Sequence, residues 1–463
     1  MNGHAMSRRE FIRLSAISLA AGAVAAACGG APTPTPAKPP AAQPTATKVA
    51  APTATVAAAP QPAAGRVKVT FMVPGSQQED ADFAPVFEEF NKRYSDIEGV
   101  YTPAGTGYTD QYNDKVMTMV AGGIAPDVFK TLFPNFGTWA DMGIYLPLDD
   151  LVQANPDITQ FDDFFPNHIE GCKIKGKLMA LPNDGAPNGM WYNVDMFEQA
   201  NVKLPDLEWT WDTLTEAAKA MTKKEGNVIT QYGTGRPNWL ISVWSNGGDL
   251  LDVDFKKCLM AAPEAIEALA WMQNLVVNLK VSPGPQALSE QNESDRFTTG
   301  RLGTTFGVRG SLGTFRSIDK FRFDAAPMIM SNKKKRVTQL AIGWTSIWKQ
   351  SKNPQQAYKL LAWVCSPEGQ RLRISRGFAH PSRKSLISQD WFANYTCPKC
   401  NSKNVNMVFP EMLMRGEARV PPPHPKLAQI NQVVTTELDS LWDGSKTPEQ
   451  VGAAIVAKVT PLL

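Results

Sequence analysis

The sequence has little of what most catalytic and metal sites need. Its 463 residues include six cysteines and four histidines, and they contain no HExxH or GxSxG motif and no coupled Cys and His arrangement. The formal net charge is +3, and the sequence shows neither the basic surface typical of nucleic-acid-binding proteins nor an acidic tail. The segment Gly171–Lys177 matches the first seven positions of the phosphate-binding P-loop motif, but Leu178 occupies the next position, where the motif needs Ser or Thr. We therefore expect no cofactor, no metal, no nucleic-acid partner and no catalytic residue.

The first 27 residues have the features of an export signal. Arg8 and Arg9 precede Phe11 and Ile12, as in twin-arginine signals, and a short Ala-rich apolar run follows. That run is too short and too weakly apolar for a membrane span. Residues 25–28 read Ala-Ala-Ala-Cys, similar to a lipobox in which Cys28 is acylated and becomes the mature N-terminus. An ordinary secretory cleavage near Ala27 is the alternative. Either way, we expect the mature protein outside the cytoplasmic membrane.

Residues 28–65 continue as a low-complexity linker. They consist almost only of Ala, Pro, Thr, Gln and Gly. Such a segment cannot bury enough apolar surface to offset its ordering entropy, and its prolines favour an extended spacer. We expect a tether that holds the folded part away from a membrane surface.

Five cysteines remain after Cys28. Cys172, Cys258 and Cys365 stand among apolar residues, as small core side chains do. Cys397 and Cys400 form the one close pair. The pair is compatible with a disulfide, with free thiols or with part of a metal site, although a complete zinc site needs further ligands.

Hydrophobic periodicity predicts an α/β protein. Val67, Val69, Phe71 and Val73 alternate with polar residues as in a strand, and apolar residues at helical spacing follow from Phe83. Three further helices are predicted where Thr210 can cap a helix and where Pro263 and Pro354 can occupy a first turn. Strands and helices alternate along most of the chain, which indicates α/β architecture in more than one lobe.

An ordered set of short motifs carries a family resemblance. In order and spacing, over nearly the whole mature chain, the set resembles family 1 extracellular solute-binding proteins, the maltose-binding type of receptor for ABC importers. The motifs are Tyr112–Lys115, Ala121–Phe129, Gly143–Leu151, Gly176–Pro182, Trp191–Asn193, Trp209–Asp212, Asn246–Gly248, Phe297–Gly300, Ser351–Ala357 and Pro381–Arg383.

The resemblance implies a two-lobe periplasmic-binding-protein fold, type II-like, that closes on its ligand about hinge crossovers. Crossovers are expected near Leu181–Trp191 and Met328–Gly343. The implied division is 66–183 for the first part of lobe 1, 184–325 for the first part of lobe 2, and 326–463 shared between lobe 1, the hinge and lobe 2.

Candidate ligand-binding residues come from loops at strand ends and from aromatic residues near the implied cleft. Tryptophan offers a flat surface to a sugar ring, although each of these tryptophans could equally pack in the core. Arg309 stands where maltose-type relatives often have a stacking aromatic, and it indicates a more polar ligand group, neutral or anionic. The candidates are Gln77, Gln78, Lys130, Thr131, Asp184, Trp239, Trp244, Arg309 and Trp344. Ser76 and Asn183 lie beside them in the same loops, and His424 lies in a separate proline-rich loop at 421–425, where a surface histidine is the alternative.

The favoured interpretation is a monomeric, lipid-anchored receptor that delivers a carbohydrate or similar small polar solute to the permease subunits of an ABC transporter. One alternative is a secreted polysaccharide hydrolase, which would need two carboxylates across the cleft. Another is a binding lipoprotein that senses or adheres without transport. The sequence does not identify the ligand.

Overall fold

The structure, a computed structural model, describes residues 65–333, 335–375 and 379–463. The predicted signal peptide, Cys28 and the linker up to residue 64 lie outside the described residues. In the described part, no helix is both long enough and apolar enough to cross a membrane.

The first lobe opens with the predicted strand and helix. Strand β1 (Val67–Met72) leads into α1 (Gln77–Arg93). Ser76 caps the N-terminus of α1, because its side chain accepts a hydrogen bond from the backbone N–H of Glu79. The next elements are β2 (Ile97–Tyr101), α2 (Asp110–Ala121), β3 (Val128–Thr131), α3 (Phe136–Asp141), α4 (Asp149–Ala154), α5 (Pro156–Thr159), α6 (Pro166–Glu170), β4 (Lys173–Ile174) and β5 (Lys177–Leu178).

Strand β6 (Leu181–Asn193) carries the chain from one hydrophobic core to another. Leu181 packs in the first core and Met190 in the second. The second lobe continues with α7 (Val194–Gln199), α8 (Trp211–Met221), β7 (Lys223–Glu225), β8 (Val228–Gln231), α9 (Trp239–Ser245), α10 (Pro263–Gln273), α11 (Pro285–Glu290), α12 (Glu293–Thr298), β9 (Thr304–Val308), α13 (Leu312–Phe315) and β10 (Phe323–Ala326). The helices predicted after Thr210 and at Pro263 are confirmed as α8 and α10.

The chain returns through β11 (Thr338–Ile347), and Val337 packs in the second core whereas Leu340 packs in the first. Helices α14 (Pro354–Val364), α15 (Pro367–Ile374), α16 (Lys384–Ile387) and α17 (Asp390–Ala393) follow. The next helix, α18 (Asn404–Met414), packs with Trp191 in a third core. Strand β12 (Ala418–Arg419) pairs with β11, and α19 (Leu427–Trp442) and α20 (Pro448–Val459) return the chain to the second core. The helix predicted at Pro354 is confirmed as α14.

One sheet joins the two lobes through the crossover strands. Its strand order is β10-β6-β11-β3-β1-β2, with β9 beside β6 and β12 beside β11. Strand β6 pairs with β11 near its start, at Leu181, and with β9 and β10 near its end, at Tyr192. The predicted α/β fold with two lobes and hinge crossovers is confirmed. The lobe boundaries stay predictions.

The cysteines in the described part of the chain are either buried free thiols or joined in a disulfide. Cys172, Cys258 and Cys365 are buried free thiols, as predicted. Cys397 and Cys400 form a disulfide, with sulfur atoms 2.10 Å apart. Of the three alternatives that the sequence left open for this pair, the structure contains the disulfide.

Candidate functional site

Two adjoining cavities lie where the lobes meet at the crossover strands. The first cavity, of about 540 Å³, is lined on the first-lobe side by Lys130, Thr131 and Phe133 and on the second-lobe side by Asn238 and Val308. The second cavity, of about 680 Å³, lies against α3, the β4–β5 hairpin and residues 418–423. Phe133 and Trp344 line both cavities, so the two form one cleft.

Strand ends place the side chains of the first cavity. Strand β3 ends at Thr131 and β9 at Val308, and both strand ends face the cleft. The crossover strands add Asp184, Asn188 and Gln339. This agrees with the general location of ligand sites beyond strand ends in open α/β sheets.

A buried charge network braces the first-lobe wall. The Nζ atom of Lys130 lies 3.1 Å from Oδ2 of Asp184 and donates to the hydroxyl of Tyr108 at 3.1 Å. The Nη1 atom of Arg373 lies 2.7 Å from the same Asp184 oxygen. The two groups form an ion pair, but the N–H groups of Arg373 are not aligned for a hydrogen bond. Tyr108 in turn donates to Oε1 of Glu79 at 2.7 Å.

Electrostatics keep Asp184 ionised. Burial alone raises the pKa of this carboxyl, but the charges of Lys130 and Arg373 outweigh burial and lower the pKa to about 2. The positive charge of Lys130 is therefore already compensated inside the protein. Lys130 can donate a hydrogen bond towards a ligand without adding an uncompensated charge to the first cavity.

Two aromatic rings are exposed in the first cavity. Tyr108 is 47% exposed and Phe133 is 39% exposed, although both side chains line a concave surface. Trp344 differs, since it is only 4% exposed. Its ring stacks on Phe136 and its Nε1 donates to the carbonyl of Gly171 at 2.7 Å. Phe133 thus offers aromatic surface to the cleft. Tyr108 offers only part of its ring, because the Nζ atom of Lys130 lies over that ring, 5.1 Å from its centroid. Trp344 is a buried part of the cleft wall.

Four of the nine sequence-predicted binding residues come together in the first cavity: Lys130, Thr131, Asp184 and Trp344. Gln77 and Gln78 lie exposed in the first turn of α1, where Gln78 donates to Asp82, and neither lines the two cavities. Asn183 is fully buried beside Asp184. His424 is buried next to the second cavity, and its Nδ1 accepts from the backbone of Lys426.

The remaining three predicted residues lie behind the cleft surface. Trp239 is half-buried against the second core, and Trp244 is fully buried within it. Arg309 is also buried, and its Nε donates to Oδ1 of Asn406 at 2.7 Å. It also donates to the carbonyl of Ala379, and its guanidinium group lies over the ring of Phe392. The neighbours Val308 and Gly310 line the cavity, whereas the Arg309 side chain does not.

Sequence reasoning missed several cavity residues: Tyr108, Phe133, Asn188, Asn238, Gln339 and His380. Two of them had a usable signal. Phe133 follows β3 by two residues, and Asn238 precedes an apolar helical run that its side chain caps through the backbone of Ile241. Asn188 and Gln339 lie on the crossover strands, and Tyr108 and His380 lie in loops, and in all four the facing direction depends on tertiary structure.

Comparison with known proteins gives a family match. The sequence profile described as bacterial extracellular solute-binding protein matches residues 74–371. The sn-glycerol-3-phosphate-binding periplasmic protein UgpB of Escherichia coli K12 is 23% identical over 334 residues, which cover 66% of this chain and 72% of UgpB.

Solved structures have the same fold. An ABC substrate-binding protein of Listeria monocytogenes in complex with cycloalternan superposes with a TM-score of 0.75 at 22% identity, covering 86% of this chain and 99% of that one. UgpB of Mycobacterium tuberculosis in complex with glycerophosphocholine gives 0.72 at 18% identity, covering 86% and 98%. With the two-lobe fold, the interlobe cleft and a profile match over more than half of its length, the chain belongs to the bacterial extracellular solute-binding protein family.

Proposed function

We propose that the protein captures a carbohydrate in the interlobe cleft and delivers it to the permease subunits of an ABC transporter. The observation that carries this proposal is the exposure of the Tyr108 and Phe133 rings inside a cavity that also holds polar side chains. Carbohydrates combine apolar C–H faces with hydroxyl groups, so they fit a site with both kinds of surface.

The size and charge of the first cavity support this ligand class. Its volume of about 540 Å³ falls within the range of small-molecule sites. Asn188 and Asn238 supply amide groups for hydrogen bonds with hydroxyls, whereas the hydroxyl of Thr131 is buried and bonded to that of Tyr145. The one charged pair that lines the cavity, Lys130 and Asp184, is internally compensated.

Of the sequence-predicted binding residues, we retain Lys130 and Asp184 as ligand contacts, and we assign Thr131 and Trp344 to the buried wall of the site. We add Tyr108 and Phe133 as stacking surfaces and Asn188 and Asn238 as hydrogen-bonding groups. The ligands that the related structures carry include cycloalternan, maltose and α-D-tagatose, and these are consistent with a carbohydrate here.

We propose no enzymatic activity. A glycoside hydrolase needs two carboxyl groups across the substrate. Among the described lining residues, Asp184 is ion-paired with Lys130 and Arg373, and Glu170 in the second cavity is ion-paired with Lys173. Hydrolysis of a bound sugar by the pure protein, lost when Asp184 is replaced by Asn, would contradict this part of the proposal.

We further propose that the mature protein is a monomer anchored through an acylated Cys28. The short apolar run before Cys28 and the Pro/Ala-rich tether after it support this arrangement. A Cys28→Ser variant should be released from membranes in a fractionation experiment. Membrane retention equal to that of the unaltered protein would place the anchor elsewhere.

A thermal-shift screen tests the binding function directly. A ligand that binds only the folded protein raises the melting temperature, and the rise grows with the ratio of ligand concentration to its dissociation constant. Mono- and oligosaccharides, polyols, glycerol phosphodiesters and short peptides would be compared at equal concentration. We expect at least one carbohydrate to raise the melting temperature. A shift with peptides alone, or with no carbohydrate, would contradict the proposal.

A further inference from the structure

We propose that the second cavity binds an oxyanion group, a phosphate or a carboxylate, that the ligand carries, and that Arg419 is its main donor. This inference rests on the proposed function, because it concerns one end of the solute that occupies the first cavity. It assigns to the ligand an acidic substituent, which the proposed function leaves open.

Arg419 is held rigidly on the wall of the second cavity. Its Nη2 donates to Oδ2 of Asp249 at 2.8 Å, and its guanidinium carbon lies 4.5 Å from the centre of the Trp244 ring. Asp249 is itself fixed, because its other carboxylate oxygen accepts from Nε1 of Trp244 at 2.7 Å and from the backbone of Leu250 at 2.8 Å. Trp244, buried in the second core, therefore orients the arginine instead of stacking on a ligand.

The remaining donors of Arg419 are open to the cavity. A guanidinium group carries five N–H donors in a planar fork. Within the described ranges, Nε and Nη1 of Arg419 make no hydrogen bond, and the side chain stays 41% exposed. A fixed guanidinium group with free donors suits the bidentate recognition of a phosphate or carboxylate.

The second cavity also has an uncompensated positive charge, unlike the first. Lys173 is ion-paired with Glu170 at 3.0 Å, and Arg419 is ion-paired with Asp249. Lys175, at the tip of the β4–β5 hairpin, lines the same cavity and has no ion-pair partner among residues 65–333, 335–375 and 379–463. An anion would balance this charge, whereas a neutral group would not.

The rest of the lining strengthens such an interaction. Phe133, Phe136 and the prolines at 421–423 form an apolar wall, which limits the water that could screen the charges. The proline segment is fixed close to α3, since a β-carbon on Gly137 would lie 2.8 Å from the carbonyl oxygens of Pro423 and His424. Because Phe133 and Trp344 border both cavities, one ligand can reach from the first to the second.

Matched pairs of probes test the inference by isothermal titration. Glucose is compared with glucose 1-phosphate and with glucuronate, and glycerol with glycerol 3-phosphate, so that phosphate and carboxylate are tested separately. We expect one charged probe to bind at least about tenfold more tightly than its neutral partner, and Arg419→Gln to remove this preference. Lys175→Gln should reduce it by about threefold, and the reduction should shrink as salt concentration rises.

Lys177→Gln serves as the matched control, because Lys177 is exposed on the same hairpin but does not line the cavity. Lys175→Gln keeps the inference testable if Arg419→Gln fails to fold. Lys175 makes no ion pair with the described residues, so its replacement removes no stabilising contact of that kind. If neutral sugars bind as tightly as the charged probes, or if only neutral sugars bind, the oxyanion site is wrong. The proposal that the protein is a carbohydrate receptor would still hold in that case. If no carbohydrate binds, charged or neutral, the proposed function itself fails.

Discussion

The indole ring of Trp344 lies parallel to the phenyl ring of Phe136, with ring centroids 4.9 Å apart and an interplanar angle of 2°. Trp344 comes from crossover strand β11 and Phe136 from the start of α3. This stacked pair therefore connects the crossover to the wall of the cleft, which Phe133 also lines.

Replacing Trp344 should reduce stability before it reduces affinity. We expect Trp344→Ala to lower the free energy of unfolding by about 3–5 kcal/mol, because it empties a large buried site. Trp344→Phe keeps an aromatic ring and loses the hydrogen bond to Gly171, so its loss should be about 1 kcal/mol. Urea denaturation of the two variants checks this order. Equal losses would show that the ring stacking contributes nothing.

Arg309 should act as a structural residue. Arg309→Met leaves Asn406 and the carbonyl of Ala379 without this donor, at about 1–3 kcal/mol for each buried group. Affinity for the identified ligand should stay within about twofold, because the side chain does not line the cleft. Arg371→Met, at an exposed position on α15, is the control. A large loss of affinity in a stably folded Arg309→Met protein would restore Arg309 as a ligand contact.

Much of the fold was accessible from the sequence, and less of the site. The alternation at Val67–Val73, the helical spacing from Phe83 and the cap at Thr210 act locally, so they predict β1, α1 and α8 correctly. Trp244 and Phe133 show the limit. Both are aromatic residues near the cleft, but only tertiary packing buries the first and exposes the second.

Asp184 marks the part of the site that the sequence could locate but not explain. Its position on the first crossover strand follows from the motif order. Its pairing with Lys130 and Arg373, which are 54 and 189 positions away, depends on three separate elements meeting. No local pattern contains that information, and the same holds for Arg419 with Asp249 and Trp244.

Acid should destabilise the protein through two histidines at the crossover. Burial lowers the pKa of His168 to about 4 and that of His380 to about 3, from an ordinary value of 6.5. Both are near Gly185. His168 contacts its carbonyl at 3.0 Å. His380 lies close enough to the backbone of Pro381 and Gly185 for a weak opposing effect on its pKa, but its ring nitrogens make no hydrogen bond of normal geometry with the residues that the structure describes.

The direction of the effect follows from proton linkage. The unfolded chain binds protons at these histidines below pH 6.5 and the folded protein does not, so stability is fully present above pH 6.5 and falls as the pH drops towards 3–4. Each histidine should contribute on the order of a few kcal/mol. Urea midpoints between pH 7.5 and 4 should fall less for His380→Gln than for the unaltered protein. An unchanged slope would mean that His380 binds protons equally in the folded and unfolded states.

The thiols should be inert until the protein unfolds. Cys172, Cys258 and Cys365 are buried, and burial raises the pKa of each thiol, which removes the reactive thiolate. Maleimide labelling followed by peptide mass spectrometry should find these three unmodified under native conditions and modified in denaturant. The peptide with Cys397 and Cys400 should be labelled only after reduction. Labelling of that peptide without reductant would contradict the disulfide.

Ligand binding should close the lobes about β6 and β11. The cavities lie between the two cores and the crossover strands join them, so rotation about these strands can enclose a solute. Small-angle scattering should show a smaller radius of gyration with saturating ligand. An unchanged radius at saturation would count against hinge closure.

The central claim is that the cleft beside Phe133 binds the solute, and titration of Phe133 variants tests it most directly. With the carbohydrate identified by thermal shift, Phe133→Ala should raise the dissociation constant at least about tenfold, because an exposed aromatic surface at the centre of the cleft is lost. Phe133→Tyr should stay within about threefold, since it retains the ring. Met142→Ala, exposed but outside both cavities, should bind like the unaltered protein. Equal affinity of Phe133→Ala and Met142→Ala would contradict the account and place the ligand elsewhere.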